Sequence, residues 1–370
     1  MSDVVKPALD IISSNLSGNR LGRALVLADC LRGEYQVRIL GMLKHKARIW
    51  QTAGERKEIE LVPIRYYSFP FYFISLFSLL LKVRSRAVIA VKPLCSSYGA
   101  ALLLKLFRRR KVILDIDDDE TALLSEGKSF SDKYLNFNPD RYVMTRILRG
   151  FIKFADEITV CNEYLREKYG GTVIVHAREA WKYSLNESKA ELKRRLGVRE
   201  DKFVICHIGT YRLHKGLERV VEALDILGDG GIVFLYTANK DYLPKRDYVL
   251  RQEEFAWDKL GEVLGGCDLG VFFLQAGRVS ASQFPAKIAD AMMAGMPFIA
   301  SDTPGIRSLI GESIFLIDSR ASAGDLAARI KWMKDNYSEA LKEAVRLREL
   351  AKADFSIEAV SVKLREVLAR

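Results

Sequence analysis

The residues best suited to chemistry in this chain lie between Phe203 and Gly216, in the stretch FVICHIGTYRLHKG. An apolar run ends at Gly209, where the missing Cβ lets the backbone turn sharply. Arg212 and Lys215 follow, and a helical pattern begins at Lys215-Gly216. A helix start points free N–H groups and a positive dipole end at whatever sits over the turn. Arginine can grip phosphate oxygens with two parallel bonds, while lysine acts as a point charge. The combination describes a diphosphate site; the plainer alternative is a basic helix start with no ligand. His214 lies in the same loop and His207 in the strand before it, where a satisfied core histidine is expected. Neither these two nor His45 and His176 show a metal-binding spacing.

A second concentration is Leu114 to Glu120, LDIDDDE, with carboxylates at Asp115, Asp117, Asp118, Asp119 and Glu120. Unpaired buried charge is costly, so such a run does not read as core. Three uses compete. The acids could serve as a general base or hydrogen-bond acceptor, as a divalent-metal site, or as salt-bridge partners of the preceding basic cluster Arg108–Lys111. A third segment is Gln283 to Pro304, QFPAKIADAMMAGMPFIASDTP. Pro285 suits the first turn of a helix, the alanines let it lie close to a sheet, and Gly295 with Pro297 ends it. On periodicity alone this is a plain helix–strand unit.

These segments need elements to hold them. Apolar runs at 8–13, 35–40, 59–64, 87–91, 112–116, 156–160 and 173–175 read as strands, interleaved with helical spacing at 20–31, 70–83, 98–107 and 164–169. The alternation restarts at 203–208 and continues through 232–236, 269–274, 298–300 and 314–317, with helices at 215–227 and 287–294. Residues 323–368 read as two or three amphipathic helices. This is an α/β chain with two doubly wound, Rossmann-like domains. The expected division is an N-terminal domain at 1–180, a polar linker at 181–200, a C-terminal domain at 201–352, and a final helix at 353–370 packing back toward the first domain. Two such domains in sequence put a cleft between the carboxyl ends of their sheets, where these folds bind ligands.

The stretch PAKIADAMMAGMPFIASDTPG resembles the signature of the retaining glycosyltransferases of family four: a Pro-x-Lys helix, an acidic residue, an Ala-Met-Ala-Gly-x-Pro turn and an Ile-Ala-Ser-Asp strand end. GTYRLHKGLERVVEALDIL resembles the same family's phosphate-binding segment, FADEITVCNEYLREKYG its last N-domain strand and helix, and SSNLSGNRLGRALVLADCL its first loop and helix. The resemblance covers most of the chain. It implies the GT-B fold, an interdomain cleft, and transfer of a sugar from a nucleotide-diphosphate donor with retention of configuration. Lys215 matches the family's phosphate-binding lysine. The partner arginine of many members would align with Thr210, and Arg212 stands two residues on as a substitute. The family often carries a glutamate, seven residues and a second glutamate. Asp290 takes the second position, which grips the ribose, and Ser282 replaces the first, which touches the sugar. Ser282, Gln283 and Phe284 would then hold the sugar or phosphate through the backbone. Asp117 occupies the family's likely histidine position and, with Asp115, is expected to face the acceptor. The loop at Gly18 and Asn19 would line the acceptor side, and Arg178-Glu179 a cleft-lining turn. No cofactor and no metal are implied, because cations and a helix dipole balance the leaving diphosphate.

Composition narrows the setting. The chain has 370 residues, enough apolar material for two cores. Its five cysteines lie far apart with no CxxC pair, which fits a reducing compartment rather than a disulfide framework. No leader peptide is visible at the N-terminus. Residues 1–185 hold 30 Lys and Arg against 20 Asp and Glu, the remainder 28 against 27, so the basic character belongs to the first half. That half could face an anionic membrane or a phosphorylated acceptor, or be a plain solvated basic face; nucleic acid fits least, since no binding motif accompanies the charge. The apolar run Phe69–Leu81 is too short to cross a bilayer, which needs about 20 residues. It reads as a buried or partly buried helix, or as one dipping into a membrane surface. The expectation is a cytoplasmic enzyme, peripheral to the membrane, that uses a nucleotide sugar and a glycan or lipid-linked acceptor in cell-surface polysaccharide or glycolipid synthesis. The alternatives are a catalytically weakened homologue acting as nucleotide-sugar sensor or scaffold, which the missing glutamate motivates, and an epimerase of the same fold.

Overall fold

The alternating pattern forms two α/β units in the computed structural model, which describes residues 6–50, 56, 58–136, 138–238 and 240–370. One unit runs to Ala177 and takes in Ile357–Arg370; the other is Arg178–Ser356.

The first unit is built on β1 (Ala8–Ser13), β2 (Gln36–Leu43), β3 (Glu60–Arg65), β4 (Ala87–Val91), β5 (Lys111–Ile116), β6 (Glu157–Val160) and β7 (Thr172–Val173). They pair in the order β3-β2-β1-β4-β5-β6-β7, every ladder parallel. The central strands are apolar on successive residues (Ile11 and Ile12, Val88 and Ile89, Val112 and Ile113) and all six are fully buried, as expected of a parallel sheet covered on both faces. The helices Tyr72–Lys82 and Ala100–Arg108 pack on the face that carries Ile12, Leu40, Val88 and Leu114. The helix Leu21–Leu31 packs on β1 and β2, and Ile357–Ala369 lies against it. That last helix buries Val360, Leu364 and Val367. Ser361 Oγ donates to the Cys30 carbonyl at 2.7 Å, and Lys111 Nζ to that of Leu368 at 2.9 Å.

The second unit has β8 (Phe203–His207), β9 (Ile232–Thr237), β10 (Val249–Gln252), β11 (Leu269–Phe272), β12 (Phe298–Asp302) and β13 (Leu316–Asp318), in the order β10-β9-β8-β11-β12-β13. All pairings are again parallel. In each sheet the strand order reverses at one place, between β1 and β4 and between β8 and β11. The carboxyl ends of strands at such a reversal are where open α/β sheets take ligands.

Several elements differ from the expectation. The segment expected as a linker forms the turn Ala180–Tyr183 and the helix Lys189–Arg195, both inside the second unit. Ser188 and Glu191 form a reciprocal capping box that starts that helix. The strand β10 was not foreseen, because VLRQ is short, half-buried and at a sheet edge. Residues 120–149 carry three helices, Glu120–Ser125, Phe130–Tyr134 and Tyr142–Arg149, where no element was read. No helix among the described residues is long and apolar enough to cross a membrane.

Candidate active site

The loop after β8 lies at the reversal of the second sheet. Gly209 has φ of +138°, a conformation that side chains disfavour. Its N–H donates to Thr237 Oγ1 at 2.7 Å, which fixes the loop to the end of β9. A Cβ on Gly209 would sit 3.5 Å from Lys215 Nζ and 3.8 Å from Lys287 Cγ. The structure therefore brings Gly209, Lys215 and Lys287 together. Lys215 Nζ also donates to the Thr210 carbonyl at 2.7 Å. Gly216, with φ of +56°, caps the helix Leu217–Leu227 and packs on Phe273 and Gln275 at the end of β11. His214 accepts from the Gln275 amide at 2.8 Å through its carbonyl. Arg212 is exposed on the same loop.

Lys287 was not named among the expected site residues, although it stands in the Pro-x-Lys signature. The available signal was its place three residues before Asp290 in a helix, which puts the two on one face. Burial and the neighbouring Arg178 charge lower its pKa, against the pull of Asp290.

Asp290 does not present a free carboxylate for a ribose. The residue is 1% exposed. Tyr183 Oη donates to its Oδ1 at 2.6 Å, Arg178 Nε also donates to Oδ1, Arg178 Nη2 reaches Oδ2 at 3.4 Å, and Lys287 Nζ lies 3.3 Å from Oδ2. Burial would raise its pKa; the charges of Arg178 and Lys287 overcome this and lower it to about 2. Arg178 Nη2 additionally bonds the Ala286 carbonyl at 2.9 Å. Arg178 is thus a brace for the Lys287 helix, within the second unit. Ser282 is also turned inward, its Oγ donating to the Val279 carbonyl at 3.0 Å. Gln283 is half-buried and its backbone N–H donates to the Ser280 carbonyl at 3.3 Å. Phe284 is core, with its ring 5.7 Å from that of Phe355. The side chains of Asp290, Ser282 and Phe284 are thus turned into the second unit.

His207 departs from a satisfied core histidine. Its Nδ1 lies 2.7 Å from the Val271 carbonyl and must donate there, so Nε2 is a bare acceptor, buried with no hydrogen-bond partner. Burial and the Lys215 charge lower its pKa to about 3. A histidine that is neutral when folded and titrates near 6.5 when unfolded lends stability above 6.5 that is lost as pH falls toward 3. At pH 5 that loss is about 2 kcal/mol. His207→Leu should flatten the fall in urea midpoint between pH 7 and pH 5; an unchanged slope would assign the acid sensitivity to other groups.

In the first unit, the Asp115 carboxylate is taken up by buried partners. It is fully buried and held by Arg23 from the first helix, Nε to Oδ2 at 2.9 Å and Nη2 to Oδ1 at 2.8 Å, with Thr159 Oγ1 at 2.8 Å. Arg23 also donates to the carbonyls of Ile174 and Val175. Asp117, Asp118 and Glu120 pair with Lys92, not with Arg108–Lys111. Lys92 Nζ lies 2.7 Å from Asp117 Oδ1, 3.2 Å from Asp118 Oδ2 and 2.6 Å from Glu120 Oε1. These three acids have oxygens within 4.8 Å of one another, close enough to hold a cation, and the lysine ammonium supplies it. Burial alone would raise the pKa of Asp117, but Lys92 and Arg23 lower it. For Asp118 burial prevails and raises it to about 6, against Lys92 and with help from Asp117 and Glu120. Asp119 caps the next helix and binds Lys168. Gly18 and Asn19 form the turn into the Leu21–Leu31 helix, their carbonyls accepting from Leu21 and Gly22 at 3.0 Å. No hydrogen bond joins them to Asp117 among the described residues.

The fold is shared with known proteins. The chain aligns over 98% of its length with a crystal structure of Anabaena Alr3699/HepE in complex with UDP and glucose, at 14% identity, TM-score 0.77 and 99% of that chain. Sucrose-phosphate synthase from Thermosynechococcus elongatus gives TM-score 0.74 at 15% identity, covering 98% of both chains. WaaG, a glycosyltransferase involved in lipopolysaccharide biosynthesis, gives 0.69 at 12%, covering 98% of this chain and all of that one. The two units thus have the GT-B glycosyltransferase fold. Residues 202–336, which include Gly209, Lys215, Lys287 and Asp290, match the family described as glycosyl transferases group 1. No curated protein sequence matches the chain.

Proposed function

We propose that this protein is a glycosyltransferase that moves a sugar, of the hexosyl kind, from a nucleoside diphosphate to a glycan or lipid-linked acceptor with retention of configuration. The observation that carries this reading is the meeting of Lys215 and Lys287 beside the left-handed Gly209 at the strand-order reversal of the second sheet. As the bond from the anomeric carbon to the diphosphate breaks, negative charge grows on the leaving group, and fixed cations at that point lower the barrier. Arg212 and the amides of the loop add to the same load, and no metal is required. Structural neighbours crystallised with UDP or UDP-glucose support a uridine diphosphate donor. The carboxylate of Asp290 acts through Arg178 and Lys287 by setting their positions. Asp117, ionised at the carboxyl end of β5, is the group assigned to the acceptor hydroxyl. The five free cysteines fit work in a reducing compartment, on the cytoplasmic side of a membrane, in synthesis of a cell-surface glycan.

The test is release of free nucleotide and sugar from a panel of nucleotide sugars, with thermal shift to identify the base, since a ligand bound by the folded state must raise its apparent stability. Turnover of one donor, even slow hydrolysis, is the expected result. Binding without any turnover would favour a nucleotide-sugar sensor, the reading that the inward-turned Ser282 supports.

A further inference from the structure

The first unit has a feature that sugar transfer does not use. The helix Tyr72–Lys82 buries Tyr72, Ser75, Leu76 and Leu79 on one side, yet its other side is also apolar and stands in water: Phe73 is 69% exposed, Phe77 62% and Leu81 56%. The neighbouring helix ends the same way, with Leu106 71% and Phe107 73% exposed. Direct bonds make these one surface. Arg108 Nη1 donates to the Leu80 carbonyl at 2.8 Å, joining the ends of the two helices. Lys105 Nζ donates to the Phe154 carbonyl at 3.0 Å, which brings in Phe151 and Phe154, both about half exposed and with rings 5.8 Å apart. These seven side chains present on the order of 700 Å² of apolar surface, more than an isolated soluble domain ordinarily leaves uncovered.

The charge around this surface is predominantly basic, with Asp156, paired to Lys105 at 2.6 Å, as a carboxylate at its edge. Between Glu60 and Asp115 the sequence contains no carboxylate, and Arg65, Lys82, Arg84, Arg86, Lys105 and Arg108–Lys111 all fall in that interval. Between Asp140 and Asp156 there is again no carboxylate, with Arg141, Arg146, Arg149 and Lys153 present. A second copy of the chain is a poor occupant, because a two-fold interface sets a patch against itself and would oppose cation to cation. An anionic bilayer suits both properties: aromatic rings sink to the headgroup boundary while the cations meet lipid phosphates.

We infer that the Tyr72–Lys82 helix, the end of the Ala100–Arg108 helix and the Phe151–Phe154 turn form a docking face for an anionic lipid bilayer. The face belongs to the first unit alone and stands whether or not the proposed sugar transfer does. If that transfer holds, the face identifies the acceptor as one carried by lipid.

Flotation of the full chain with phosphatidylcholine vesicles, and with vesicles containing about a third phosphatidylglycerol, tests it. The expected result is flotation with the anionic vesicles at least tenfold above the neutral ones. Phe73→Ser/Phe77→Ser removes only exposed rings, so it should abolish flotation while leaving UDP affinity and the urea midpoint unchanged. Arg84→Glu/Arg109→Glu should weaken it and reduce its dependence on salt. Absence of flotation overturns the inference, as does equal flotation of the Phe73→Ser/Phe77→Ser variant. A dimer detected by light scattering and dissolved by Phe73→Ser/Phe77→Ser would assign the face to a second copy. Salt-sensitive capture of DNA or RNA that survives loss of both rings would assign the charge to nucleic acid instead.

Discussion

Lys215→Ala is expected to abolish sugar transfer and to weaken UDP binding more than tenfold. The lysine amine lies beside Gly209, 3.5 Å from where a Cβ on that glycine would stand. A hydrogen bond to a charged group contributes about 1.5–3 kcal/mol, and tenfold in affinity is 1.4 kcal/mol. Binding should not vanish, because Lys287 and the loop amides remain. Turnover should suffer more than affinity, since the charge on the diphosphate is greatest as the sugar departs. Lys287→Ala should lower affinity too, in combination with a disturbance of Asp290, which its ammonium also neutralises. Calorimetric titration of UDP separates the cases. An affinity unchanged by Lys215→Ala would remove this residue from the diphosphate site and the central support from the proposed function.

The second large effect falls on stability. Asp115→Ala should cost about 3–5 kcal/mol, because it leaves the Arg23 guanidinium buried without its counter-charge. Arg23 is 3% exposed and reaches no solvent to compensate. Its remaining bonds, to the carbonyls of Ile174 and Val175, would be kept only at that electrostatic expense. The loss should appear in the first urea transition. Asp117→Asn gives the contrast: its side chain keeps a polar contact to Lys92, so turnover should fall while the urea midpoint moves little. If Asp115→Ala unfolds at the wild-type urea concentration, the buried pair is not what holds the first helix to β5.

How far the sequence reached depended on the distance between partners along the chain. The Gly209–Lys215 loop was legible because a strand end, a glycine and two cations fall within a few residues and their chemistry is local. The acidic run was legible as a cluster but its use was not. Lys92 follows the neighbouring strand, and only the pairing of β4 with β5 brings it to Asp117, Asp118 and Glu120. Lys92 also adopts φ of +70°, which lysine gives no reason to anticipate. Arg23 lies 92 residues from Asp115, and Arg178 and Tyr183 lie 112 and 107 from Asp290. A carboxylate near a strand end or on a helix reads the same whether it faces a ligand or a buried arginine. Only the assembled core decides, and in both cases the arginine took it. The doubly wound architecture was legible because consecutive apolar residues and short connections recur throughout. The half-buried edge strand β10 and the short helices of 120–149 give no such repetition.

The helix Ile357–Ala369 carries a consequence for how the protein comes into being. It fills a place against the Leu21–Leu31 helix, yet it is translated after the whole of Arg178–Ser356. The body that leaves the ribosome first is therefore finished last, with Cys30 and its neighbours waiting for a segment made more than three hundred residues later. Shortening the chain at Ser356 would leave the second body whole and injure the one that precedes it.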